Sequence, residues 1–92
     1  MKTIKGFKLR PLGDEFILVG ESVELVNYNK MLTLNETAAF LWRKASEDPE
    51  RDFDAKMMAD WLCEEYDVTP EQALQDSEHT LEQWKEAEIV RE

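Results

Sequence analysis

Few side chains in this sequence could carry covalent or acid–base chemistry. It contains one histidine, His79, and one cysteine, Cys63. A general base needs an oriented partner and a pocket. His79 falls among Glu78, Thr80 and Glu82, where the Thr80 hydroxyl is the sole nucleophile, and it reads as a solvated surface histidine. Cys63 sits near Glu64 and Asp67 with no cation beside it in sequence, surroundings that disfavour a reactive thiolate. A lone cysteine also excludes an internal disulfide and a zinc site built on several thiolates. The carboxylate pairs Asp60/Glu64 and Glu78/Glu82 are spaced i,i+4, but a calcium site needs a shaped loop with its glycine and converging oxygens. Gly6, Gly13 and Gly20 are isolated and none opens a helix, so there is no phosphate-cradling loop. The expectation is a protein that is not an enzyme, with no metal and no cofactor of its own.

The elements that would position a binding site are clearer. Ninety-two residues, 42% of them hydrophobic, suit one domain spanning residues 1–92 with one modest core. In "FKLRP", Phe7 and Leu9 alternate with Lys8 and Arg10, a period-2 strand pattern. "LGDE" supplies turn residues, and "FILV" (16–19) reads as a well-covered strand. "VELVNY" (23–28) is a further strand or a continuation after a bulge, and Asn29 suits a tight turn. "MLTL" gives a last short strand, with Leu32 and Leu34 on one face and Met31 and Thr33 on the other. Short loops make these strands antiparallel neighbours.

Three helices follow. Asn35 caps the first, whose core stripe is Thr37, Phe40, Leu41 and Ala45 with Trp42 on the flank; it stops near Ser46. "EDPERD" is a polar linker, and Asp52 can cap the second helix, where Phe53, Met57, Trp61, Leu62 and Tyr66 recur at helical spacing. Thr69 caps the third, Pro70 takes its first position and Gln72 completes a capping box. Its buried stripe is Ala73, Leu74, Ser77, Leu81 and Trp84, and Ile89 and Val90 tuck back onto the core. The predicted fold class is α+β and winged-helix-like: an antiparallel sheet of three short strands, or four if residues 23–28 add one, followed by three helices.

Charge narrows the partners. Residues 1–34 carry five basic and four acidic groups; residues 35–92 carry six basic and seventeen acidic. Phosphate backbones repel such a surface, so the expectation is no nucleic-acid partner. No apolar run approaches 18 residues, so no membrane span is expected, and the N-terminus lacks a secretory pattern; the expected location is cytoplasmic. "MLTL" contains neither charge nor proline. At a sheet edge it would offer unpaired backbone groups, to be covered by residues 23–28 or to accept a partner peptide as an added strand. Trp42, Trp61 and Trp84 fall one on each helix, as core or as the lining of a groove.

The segment "MLTLNETAAFLW" (31–42) resembles the "ITLNETGAFLW" stretch of PqqD-like proteins. "FKLRPLGDEFILV" is similar to that family's opening hairpin, and "MADWLCEEYDVTPEQALQD" to its second helix, its turn and the start of its third helix, including Asp76. The likeness runs from about residue 7 to 90. It departs in three places: Glu88 stands at a helix end where the family usually has glycine, the linker "SEDPERD" is longer, and extra chain lies between Val19 and Met31.

The resemblance implies a non-catalytic recognition element of ribosomally made, post-translationally modified peptides. Such a domain binds the leader of a precursor peptide as an added strand and passes it to a modifying enzyme, often a radical S-adenosylmethionine (radical SAM) enzyme, in peptide natural product or quinone-cofactor-like biosynthesis. Carried onto this sequence, the peptide-binding residues would be Met31, Leu32, Thr33 and Leu34 on the edge strand and Ala73, Asp76, Ser77, Thr80 and Trp84 on the third helix. A monomer or weak dimer is expected. Two rivals remain at this level. One is an adaptor that binds only a protein, such as a transporter or kinase-like enzyme. The other is a winged-helix DNA-binding regulator, disfavoured because the second and third helices carry one lysine each against four and six acids.

Overall fold

The computed structural model describes residues 1–4, 6–20 and 31–92. Strands β1 (Lys2–Thr3), β2 (Phe7–Leu12), β3 (Glu15–Gly20) and β4 (Met31–Leu34) precede helices α1 (Glu36–Ser46), α2 (Ala55–Glu65) and α3 (Pro70–Glu86), and β5 (Val90–Arg91) follows. The α+β expectation of a three-stranded antiparallel sheet ahead of three helices is met, in the order β2-β3-β4. The strand and turn expected over residues 23–29 lie outside the described residues.

The sheet begins with a two-residue hairpin loop. Leu12 pairs with Glu15, and Gly13 takes a φ of 62° at the first central position, the glycine-first pattern of a type II′ turn. The pleat then sorts the side chains. Leu9, Leu18 and Leu32 stand in one cross-strand row, and Pro11, Phe16 and Leu34 in the next. Leu18 and Leu34 are buried against the helices and Phe7, Leu9, Phe16 and Leu32 are packed onto the same core, while Lys8, Arg10 and Thr33 are exposed.

Each helix start is set by a side-chain cap. The Asn35 Oδ1 accepts the Ala38 N–H at 2.8 Å, and the Asp54 Oδ1 accepts the Met57 N–H at 2.9 Å. Asp54 therefore takes the capping role expected of Asp52, which pairs instead with the Met1 ammonium. Phe53, just before this cap, is buried and exchanges backbone hydrogen bonds with Met1, donating at 2.7 Å and accepting at 2.9 Å. The Thr69 Oγ1 accepts the Gln72 N–H at 3.2 Å. The Gln72 side chain does not close the expected box; it donates to Asp76 Oδ1 at 2.9 Å.

The core differs from the predicted stripes by a rotation of α1. Ala39, Leu41, Trp42 and Ala45 are its buried residues, with Thr37 and Phe40 half-buried. Trp42 is at the centre because its ring meets Phe7 and Trp84 edge-on, with centroids 6.2 and 5.2 Å apart. Phe53 continues the contact, 6.3 Å from Trp84 and 6.2 Å from Trp61. A chain of aromatic rings thus joins β2, α1, α3, the linker and α2, each such pair contributing about 0.5–1.5 kcal/mol beyond area burial. Phe40 turns aside to the ring of Tyr66 at 5.5 Å. Burial holds the Tyr66 phenol above its ordinary 10.0, with Glu36 and Glu65 adding to the shift and Arg43 opposing it. Leu74, expected inside, is 38% exposed, since the face that α3 turns inward carries Ala73, Ser77, Leu81 and Trp84.

α3 ends in a Schellman arrangement. The Ile89 N–H reaches the Trp84 carbonyl at 3.2 Å and the Glu88 N–H the Lys85 carbonyl at 3.1 Å. Glu88 itself has a φ of 59°, the left-handed conformation that glycine adopts at least cost. The turn sends Ile89 and Val90 into the core as expected. It also lets β5 pair with β1, Thr3 opposite Val90, a two-stranded sheet that the short polar ends of the sequence did not announce.

Candidate binding groove

β4 places the four residues of the expected edge. It hydrogen-bonds to β3 with Leu32 opposite Leu18 and Thr33 opposite Ile17. Among the described residues it has no second strand neighbour. Neighbouring residues of a strand direct their backbone groups to opposite sides, so half of the amides of β4 face β3 and half face outward.

A cleft with a volume of about 470 Å³ lies between the end of β4 and α3. One wall is Thr33, Leu34, Asn35, Thr37 and Ala38, where the strand turns into α1, together with Glu15 at the start of β3. Asp76, His79, Thr80 and Gln83 form the other. They fall on one stripe because positions three, four and seven apart share a helix face. Asp76 is held by the Gln72 amide one turn earlier.

The expected site residues divide accordingly. Thr33, Leu34, Asp76 and Thr80 meet at the cleft, and Met31 and Leu32 continue the strand away from it. Ala73, Ser77 and Trp84 lie on the inward side of α3, each with 0% exposure. They fix where the helix stands rather than offering surface. Among the described residues the Ser77 Oγ and Trp84 Nε1 have no hydrogen-bond partner.

Among the described residues, Glu15, Asn35, Thr37, Ala38, His79 and Gln83 also line the cleft without having been singled out for it. His79 and Gln83 were legible in the period of α3 once Asp76 was placed. Glu15 was not, because the register of β3 against β4 decides its position. His79 is exposed on this wall. Cys63 is exposed on α2, its thiol 4.0 Å from the Val68 carbonyl. Among the described residues no three His, Cys, Asp or Glu side chains converge as a metal site would require, and no helix is long and apolar enough to cross a membrane.

Strand edge and helix-walled cleft together define a small α+β domain with an open groove beside its sheet. The family model described as Coenzyme PQQ synthesis protein D (PqqD) matches residues 16–90, and the chain belongs to that family. The fold is similar to that of a solved structure described as TbiB1 in complex with the TbiA(beta) leader peptide. The TM-score is 0.73 at 18% sequence identity, covering 99% of this chain and 95% of that one. No curated protein matches the sequence.

Proposed function

We propose that this domain binds the leader segment of a ribosomally made precursor peptide as an added strand along β4 and hands it to a modifying enzyme, of the radical SAM class or another, without catalysing a reaction itself. The observation that carries the reading is the outer edge of Met31–Leu34 running into a cleft walled by α3. Membership of the PqqD family and a fold shared with a leader-peptide complex support it. Each backbone hydrogen bond to an added strand contributes about 0.5–1.5 kcal/mol net. The side chain seated between Thr33 and Thr80 supplies selectivity. Ala73, Ser77 and Trp84 act from beneath by holding α3 at the right distance.

The test is a titration with fluorescein-labelled synthetic leaders taken from short reading frames neighbouring the gene, followed by residue-level NMR shifts. Shifts concentrated at residues 31–34, Asp76 and Thr80 are expected. Leu32→Pro and Thr33→Pro then separate the two sides of the strand, since proline removes a donor. The variant whose amide faces outward loses peptide binding and keeps its fold; its neighbour, whose amide bonds β3, loses stability. Unchanged affinity in both folded variants would sink strand addition. Binding to a neighbouring enzyme but to none of the leaders would leave a protein-only adaptor in its place.

A further inference from the structure

The groove also carries information about which peptide it takes. Leu34 is almost wholly covered, at 4% exposure, and Ala38 is small, so the described residues of the cleft offer no broad apolar floor for an aromatic or branched anchor. Its carboxylates among the described residues are Glu15 and Asp76, with the His79 imidazole on the same wall as Asp76. Opposing them is the N-terminus of α1, equivalent to roughly half a positive charge. That end is already met by the Asn35 cap and by Glu36 in its first turn. Two full carboxylates outweigh it. One oxygen of Asp76 accepts from the Gln72 amide, and the carboxylate carries a second acceptor oxygen beside it. The hydroxyls of Thr33, Thr37 and Thr80 can accept further N–H groups.

We infer, building on the peptide-binding reading above, that the peptide strand places a lysine or arginine in this cleft, its charge met by Asp76 and Glu15. Bonds between an ionised donor and a carboxylate are shorter and stronger than neutral ones and give selectivity that a backbone ladder lacks. The acidic surface as a whole would draw any cationic peptide nearer; the cleft fixes one position of it.

A phage-displayed random dodecapeptide library panned on the whole chain tests this, with two variants panned in parallel. Glu15→Gln with Asp76→Asn neutralises the cleft. Asp60→Asn with Glu64→Gln removes the same charge from the exposed face of α2. The native chain and the α2 variant are expected to enrich peptides with lysine or arginine at one fixed position. Replacing that residue by methionine in a selected peptide should weaken anisotropy-measured binding about tenfold to either protein, and less than about twofold to the cleft variant. Peptides that bind at β4 with no fixed basic position, or a methionine penalty that persists in the cleft variant, would overturn the inference and leave peptide binding standing. Enrichment of no peptide at all would remove both.

Discussion

At the scale of single residues, Glu88 shows how a local rule can be broken without losing the structure. Its left-handed backbone closes the Schellman turn that brings Ile89 inside. For an L-residue with a Cβ this conformation costs about 1–2 kcal/mol, part of which glycine returns to the flexibility of the unfolded chain. Glu88→Gly is therefore expected to stabilise the domain by about 0.5–1 kcal/mol, raising the melting temperature by a few degrees. Thermal unfolding followed by circular dichroism checks it; a lower midpoint would mean the Glu88 side chain contributes more than its backbone costs. The absence of glycine at this position was visible in the sequence, but the strain was not, because a φ angle belongs to the folded turn. Asp52 and Asp54 make the same point. Both are good capping types two residues apart, and the choice fell to Asp54 once the buried Phe53 fixed where the helix could begin.

Among the elements, helix starts and strand alternation were legible and helix rotation was not. Asn35, Thr69 and Pro70 act locally, within three residues of the groups they satisfy. Thr69→Ala should accordingly cost about 0.5–2 kcal/mol, seen as a lower urea midpoint at unchanged slope, with Thr69→Ser recovering most of it. No change would mean the 3.2 Å bond to Gln72 contributes nothing. The face α1 turns inward is instead decided by Phe7 and Trp84, thirty-five and forty-two residues away in sequence, so a hydrophobic period alone placed Trp42 on the flank. The candidate site divides along the same line. Thr33 and Leu34 were marked by the uncharged strand and Asp76 and Thr80 by the family likeness, whereas Glu15 reaches the cleft only through strand register.

For the whole molecule, the net charge of −10 acts on solution behaviour. An uncharged strand edge is a template for pairing with a second copy, and β4 carries no charge to blunt it. Repulsion between acidic surfaces opposes such pairing at low salt and fades as the screening length falls from about 10 Å at 0.1 M to about 3 Å at 1 M. Sedimentation velocity should show association rising with salt, and a saturating β4-binding peptide should suppress it. A sedimentation coefficient independent of salt would show that the edge needs no such protection. Finally, the rings from Phe7 through Trp42, Trp84 and Phe53 to Trp61 touch in sequence. Light absorbed by one indole can migrate to its neighbour, so the near-ultraviolet spectrum of this domain is a property of the assembly. A change in emission on ligand addition will therefore reflect the coupled rings rather than one indole, and replacing any one tryptophan is expected to alter the signal of the others.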